Sequence, residues 1–380
     1  MTQRDLVRRL AAAGDDSLIG GVARIAVLRA NALGDLVFAL PALAALRAAY
    51  PAAEMVLLAR PWHAEFAPAR VPGVDRTVVV PRHEGIWAEP GGVDDQEELA
   101  AFFARMREER FDLVLQLHGG GRHSNPFVRR LGARVTAGLA TPDADPLDRT
   151  VPYVYYQPEV FRLLEVVARV GAPAVGNEPR LPVLEADVAE AGRLVDLTQP
   201  LAALHPGATD GRRRWPPERF AAVGDALAGA GAAVLVTGTQ EEAGLVDEVV
   251  RRMEADATGL AGAVSTGGLA GLLSCCGVVV SNDSGPLHLA AAVGAATVGI
   301  FWCGNLINAG PVTRARHRPA ISWRLDCPAC GTNCITGSCR HSASFVADVT
   351  VEEVVGSALD LWADATTARL AERFPERRTG

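Results

Sequence analysis

At 380 residues the chain is longer than one hydrophobic core usually supports, so two domains of ordinary size are expected. Hydrophobic residues at 49% and charged residues at 21% exclude a disordered chain, and a net charge of −7 argues against nucleic acid as a partner. All 37 basic residues are arginine, so any phosphate clamp must be built from guanidinium groups.

The N-terminus, MTQRDLVRRLAAAGDDSL, has no uninterrupted apolar stretch and no small-residue cleavage site, and reads as a short amphipathic helix rather than a secretory signal. Arg24 to Arg29 is a short β-rich run, residues 30–34 a loop, and Asp35 to Tyr50 a helix with apolar residues at 36, 37, 40, 43 and 46. Met55 to Ala59, Thr77 to Val80, Leu113 to Leu117 and Val135 to Ala137 read as strands, with a helix over Glu97 to Arg110. Alternation of this kind predicts a parallel sheet wrapped by helices. Gly171 to Pro182, rich in Gly and Pro and without a period, marks the linker.

The pattern then restarts. Strands are expected at Leu201 to Leu204, Ala233 to Thr237, Val278 to Ser281 and Thr297 to Phe301, and helices at Pro217 to Gly229, Glu241 to Met253 and Ser284 to Val293. A last helix spans Val351 to Phe374, and its end could pack back on the N-terminal half. The fold class is therefore α/β, with two Rossmann-like parallel-sheet domains, residues 1–175 and 176–362, facing across a cleft, and a terminal helix over 363–380. The most apolar run, His288 to Cys303, is broken by glycines and is too short to span a membrane, so at most peripheral membrane contact and a cytoplasmic location are expected.

Three polar segments at strand ends carry the chemistry. Asp35 opens a helix at the carboxyl end of the first strand, where open α/β sheets place reactive groups, although an Asp there is also an ordinary N-cap. LHPGATDGRRRWPPERF puts a glycine loop and Arg212, Arg213 and Arg214 ahead of a helix start, a receptor for a diphosphate unless the run is simply a solvated charged face. VVVSNDSGPLHLAAAVG ends a buried strand in Asn282, Asp283 and Ser284, with Gly285 and Pro286 opening the next helix. Its bare first amides form an anion site, whereas a plain capped turn is the alternative, and His288 one turn on can be a satisfied buried histidine.

These segments, in this order, resemble glycosyltransferase family 9, the ADP-heptose:lipopolysaccharide heptosyltransferases. RANALGDLVFALPALAALRAAYP, LHPGATDGRRRWPPERFAAVGDAL and SNDSGPLHLAAAVGAATVGIF carry the resemblance across both halves. It implies a GT-B fold, inversion at the anomeric carbon and no obligatory catalytic metal. It makes Asp35 the catalytic base and places Arg213 where the family has a phosphate-binding lysine, a change that keeps the charge and alters the geometry. It assigns Asp283, Ser284, Gly285 and Leu287 to the turn holding sugar and diphosphate. Glu242 becomes the ribose-binding acid, with Glu241 as the near alternative; His205, Gly207 and His288 join the nucleotide-sugar set. The implied partners are a nucleotide-diphosphate sugar, with an ADP-sugar favoured, and a glycan or glycolipid acceptor.

DCPACGTNCITGSCRHS spaces Cys327, Cys330, Cys334 and Cys339 as C-x₂-C-x₃-C-x₄-C, with His341 just beyond. Four thiolates in thirteen residues fit a structural zinc ion or an iron–sulfur cluster, and disulfides stay open in an oxidising compartment. Cys275, Cys276 and Cys303 sit in apolar runs and read as buried thiols. Three rival functions remain. An NAD-dependent oxidoreductase lacks a full G-x-G-x-x-G, the nearest approach being Gly119 and Gly121 with Ser124 third. A sugar-nucleotide epimerase and a non-catalytic nucleotide-sugar-binding protein are the others.

Overall fold

The computed structural model describes residues 16–88 and 94–373; the expected N-terminal helix falls almost wholly outside them. The chain divides into two units, Met1–Leu181 and Pro182–Gly380, so the division falls after Leu181 rather than after residue 175.

In the first unit β1 (Arg24–Leu28) leads into α1 (Leu33–Ala49), followed by β2 (Glu54–Ala59), α2 (Pro61–Phe66), β3 (Arg76–Val79), α3 (Gln96–Glu108), β4 (Leu113–Gln116), α4 (Ser124–Arg129), β5 (Val135–Ala140), β6 (Arg149–Pro152) and α5 (Glu159–Ala168). The six strands form one parallel sheet in the order β3-β2-β1-β4-β5-β6. Ile25 of β1 stands beside Met55 on one side and Leu113 on the other. β4 is buried at every position and β1 at all but its first, as strands covered on both faces must be. α1 runs unbroken through Pro41, and Asp95 caps α3 by accepting the Glu97 and Glu98 amides at 3.0 Å.

The second unit begins with α6 (Glu185–Gly192), then β7 (Leu201–His205), α7 (Pro217–Gly229), β8 (Ala233–Gly238), α8 (Ala243–Arg252), β9 (Ala257–Ala261), α9 (Thr266–Ser274), β10 (Cys276–Asn282), α10 (Gly285–Ala292), β11 (Ala296–Trp302), α11 (Cys303–Ala309), β12 (His317–Ser322) and α12 (Val351–Arg373). Its parallel sheet runs β12-β11-β10-β7-β8-β9. Counted from its own first strand this is the order of the first sheet. Each sheet therefore reverses direction once, between β1 and β4 and between β7 and β10, and such a reversal is where open α/β sheets bind ligands.

α12 packs on α7, β10 and β11 of its own unit and is continuous from Val351 to Arg373, so residue 363 is not a boundary between elements. Trp362 is part of the core with Val278, Val280 and Val298, and its indole N–H donates to the Ala230 carbonyl at 3.1 Å. Gly277 makes room for this ring: a Cβ there would lie 2.9 Å from it.

Candidate functional site

At the reversal point of the second sheet, three turns are fastened to one another. His205 ends β7 fully enclosed, with Nδ1 3.1 Å from Thr237 Oγ1. The Thr237 hydroxyl donates to the Leu204 carbonyl, so it accepts from His205 Nδ1–H and leaves Nε2 as the ring's lone-pair nitrogen. Burial lowers the His205 pKa to about 4, the Glu242 carboxylate pulling the other way, and the ring is neutral at pH 7. Gly207 lies against that carboxylate: a Cβ would stand 2.2 Å from Glu242 Oε1. Glu242 is half-buried, and its Oε2 also accepts the Thr239 amide at 2.9 Å, while Glu241 is exposed.

The three consecutive arginines have three different partners. Arg212 pairs with Asp210 at 2.7 Å, and Asp210 also caps the short 3₁₀ turn over Gly211–Arg213 by accepting the Arg212 amide at 3.0 Å. Arg214 donates from Nε to the Ala208 carbonyl at 2.9 Å. Arg213 reaches the next turn, where its Nη1 donates to the Asp283 carbonyl at 3.2 Å and to Asp283 Oδ2 at 3.1 Å.

Asp283 is buried, which by itself raises the pKa of a carboxyl. His288 Nε2 at 3.2 Å, the Arg213 guanidinium and Asn305 Nδ2 at 2.7 Å outweigh that effect and hold it down to about 2. His288 is thus a partner of Asp283, one turn along the helix. Ser284 is the N-cap of α10 with its Oγ 3.1 Å from Ser281 Oγ, and Gly285 and Pro286 form the first turn. The Leu287 side chain is buried, so this residue offers the turn its amide and not its side chain. Asn305 was not singled out from sequence, and Asn282 only as one of the polar residues of the turn. Asn282 is buried, donates to the Pro206 carbonyl at 2.7 Å and accepts the Trp215 amide at 3.0 Å, joining its own turn to both ends of the loop after β7. A polar residue at the end of a buried strand was the available signal.

At the reversal point of the first sheet, Asp35 is not the N-cap. Helix α1 starts at Leu33 after Ala32, so Asp35 is the third helical residue, and its Oδ2 accepts the Ala32 amide at 3.1 Å. Its Oδ1 pairs with Arg29 Nη2 at 3.2 Å. Arg29 is buried and also donates from Nε to the Asp35 carbonyl at 2.9 Å, from Nη1 to the Leu117 carbonyl, and pairs with Glu159 Oε1 at 3.1 Å. Glu159 in turn pairs with buried Arg162, which donates to the carbonyls of Val154, Tyr155 and Gln157 at 2.9, 2.7 and 3.0 Å. Tyr155 and Tyr156 in that loop are exposed. His118, past the end of β4, accepts the Ala30 amide on Nδ1 and reaches the Gly85 carbonyl with Nε2, each at 3.2 Å. Burial, with Arg29 second, lowers its pKa to about 4. None of Arg29, Glu159, Arg162 or His118 was singled out from sequence; they meet Asp35 only through the sheet.

The cysteine run folds as a loop after β12. The Sγ atoms of Cys327, Cys330 and Cys339 and a ring nitrogen of His341 all lie within 4.8 Å of one another. The expected fourth thiol is outside this group: Cys334 Sγ turns to the Thr332 carbonyl at 3.3 Å, and His341 takes its place.

Solved structures with this architecture are glycosyltransferases of the GT-B type. E. coli ADP-heptose lipopolysaccharide heptosyltransferase II has a TM-score of 0.72 at 19% identity, covering 90% of this chain and 99% of that one. E. coli heptosyltransferase WaaC with ADP has a TM-score of 0.61 at 20% identity, covering 79% and 93%. A curated relative, lipooligosaccharide heptosyltransferase 2 of Haemophilus ducreyi, is 23% identical over 300 residues, 71% of this chain and 80% of that protein. The model of glycosyltransferase family 9 (heptosyltransferase) matches residues 99–324, more than half of the chain. The chain belongs to glycosyltransferase family 9 and is a nucleotide-sugar glycosyltransferase; the epimerase and binding-protein alternatives are not favoured. Asp35 and the cysteine loop lie outside the matched residues.

Proposed function

We propose that this enzyme transfers a heptose or similar sugar from an ADP-sugar to a hydroxyl of a glycolipid acceptor, with inversion. The observation that carries the reading is the joining of the two turns of the second unit by Arg213, Asp283 and Asn282. That lattice holds a cation beside the opening amides of α10, and a cation with bare helix amides is a receptor for a diphosphate. In this reading Ser284, Gly285 and the Leu287 amide meet the diphosphate, Glu242 meets the ribose beside Gly207 and neutral His205, and His288 fixes Asp283. The relative solved with ADP supports the choice of nucleotide.

Asp35 is the general base. The acceptor oxygen bonds to the anomeric carbon as its proton passes to the Asp35 carboxylate, and the bond from that carbon to the diphosphate breaks with its electrons leaving on the nucleoside diphosphate. Arg213 and the α10 amides stabilise the charge that develops there. The exposed Tyr155 and Tyr156, on a loop tied to Asp35 through Arg162, Glu159 and Arg29, offer the acceptor a stacking surface. In this reading the enzyme is cytoplasmic and meets its acceptor at most peripherally; no helix among the described residues is long and apolar enough to cross a membrane. The test is ADP release from ADP-heptose with and without a lipopolysaccharide-core acceptor. Release only with acceptor is expected, and isomerisation of the sugar without acceptor would overturn the reading.

No cofactor enters the transfer in this reading. Cys327, Cys330, Cys339 and His341 hold a structural ion: three thiols and one imidazole are a common tetrahedral zinc set, and they also suit iron. Ligands at about 2.3 Å stand about 3.8 Å apart, so a group already within 4.8 Å closes on an ion by roughly 1 Å.

A further inference from the structure

Between the end of β12 at Ser322 and the start of α12 at Val351 the chain forms no further strand or helix. Loops of this length without elements of their own are uncommon in compact domains. This one buries few side chains, Cys327, Phe345, Val346 and Val349 among them, and its stretch from 328 to 344 has no fully buried residue. Ordering so many residues with so little burial is unfavourable unless something else ties them. A four-ligand ion between Cys327 and His341 is such a tie.

The far end of the tied loop is fastened at the arginine turn and the near end at the close of β11. At the near end the Arg324 carbonyl accepts the Trp302 indole N–H. At the far end Ser344 Oγ donates to the Arg214 carbonyl at 2.7 Å, and the Phe345 amide donates to the Arg212 carbonyl at 2.8 Å. The Phe345 ring stacks on Trp302 with centroids 5.2 Å apart, and the Arg212 guanidinium lies 5.4 Å above it. The two carbonyls that receive these bonds flank Arg213, the residue whose guanidinium holds Asp283. The Cys327–Gly331 turn, closed by the Gly331 amide on the Cys327 carbonyl at 2.9 Å, returns Cys330 towards Cys327.

We infer that the ion held by Cys327, Cys330, Cys339 and His341 acts as a positioning device for the phosphate-binding turn, so that metal loading sets the affinity for the nucleoside diphosphate. The inference rests on the proposed metal and donor sites. An ion that draws residues 327–341 together fixes where Ser344 and Phe345 emerge, and through their two hydrogen bonds fixes the backbone on either side of Arg213. It touches neither nucleotide nor sugar.

The test uses full-length protein purified without chelators, elemental analysis, and calorimetric titration with ADP. One zinc or iron per chain is expected, the analysis telling which. Cys339→Ser is expected to lose the metal and to bind ADP about tenfold more weakly, an ordinary size for coupled sites. Cys339→His, which restores a tetrahedral zinc set, should recover both. Ser344→Ala should keep the metal and still weaken ADP binding. If Cys339→Ser does not fold, hydrogen exchange over residues 211–214 in wild type before and after chelation decides, with faster exchange expected after metal removal. ADP affinity unchanged by metal removal and by Ser344→Ala would overturn the coupling alone. Wild type that carries no zinc or iron as purified and still binds ADP would overturn the metal site and the coupling with it, and failure of the metal-loaded wild type to bind ADP would overturn the donor reading.

Discussion

The two units build their reversal-point turns on the same strand order and with opposite charge presented. In the first, the cation is hidden and the acid is offered: the Arg29 side chain is 1% exposed and that of Asp35 38%. In the second, the acid is hidden and the cation is offered: Asp283 is 4% exposed and Arg213 25%. A buried charge must be paired, so each hidden partner fixes the one facing outward. The offered carboxylate suits a proton acceptor, and the offered guanidinium suits a phosphate. In the proposed reading, one topology thus serves acceptor chemistry and donor chemistry by exchanging which member of an ion pair is inside.

Replacing the offered acid tests the first half of that contrast. Asp35→Asn preserves shape and should lower kcat by about 10²–10⁴ with a nearly unchanged melting temperature. Near-normal turnover would reduce Asp35 to a helix-start residue. Replacing the hidden acid should act on folding as well: Asp283→Ala leaves Arg213, His288 and Asn305 without their shared partner and should cost about 3 kcal/mol in chemical denaturation, with loss of ADP binding. Arg213→Ala removes only the offered cation and should weaken ADP by roughly 10- to 100-fold while the protein stays folded.

Acid should separate the units more gently. His63 and His118 in the first unit and His205 in the second have folded pKa values lowered to about 3, 4 and 4, burial being the first cause in each. The unfolded chain therefore takes up protons that the folded one refuses, and stability falls as pH drops through about 6.5 towards these values. At pH 5.5 the loss should be about 1 kcal/mol per histidine, and larger in the first unit, which hydrogen exchange of the two units against pH would show. The smallest effect is expected from Gly207→Ala. A methyl there displaces the Glu242 carboxylate, raising the donor KM by roughly fivefold, about 1 kcal/mol, without loss of fold.

The repeated strand–helix alternation and the three polar strand ends were legible because each is encoded within a few residues. Ile25 to Arg29 and Val278 to Ser281 are buried runs that only a covered parallel strand explains. The edge strands of the second sheet were not legible: β9, ATGLA, has little apolar pattern, and β12, HRPAIS, carries a proline that an edge strand tolerates. α9, TGGLAGLLS, holds three glycines that weaken any helical reading. Asp35 was placed at the right turn, and it is the N-cap alternative that fails, because Leu33 and Gly34 already belong to the helix. The partners of the site were beyond reach: Asn282 meets Trp215 across 67 positions and Arg29 meets Glu159 across 130, separations that no local pattern spans. Likewise, spacing alone favoured Cys334 over His341, whereas the turn after Cys330 selects the histidine.

The placement of Trp362 against Gly277 bears on how the protein is made. The core of the second unit is missing a wall until α12 arrives, and α12 follows every strand of its sheet in the chain. The first unit has all its strands by Pro152 and its last helix by Ala168. Domains generally fold as units as they emerge. The half bearing Asp35 can therefore stand finished on the ribosome while the half bearing Arg213 waits for α12, and a chain cut short before Trp362 would keep the first half and lose the second.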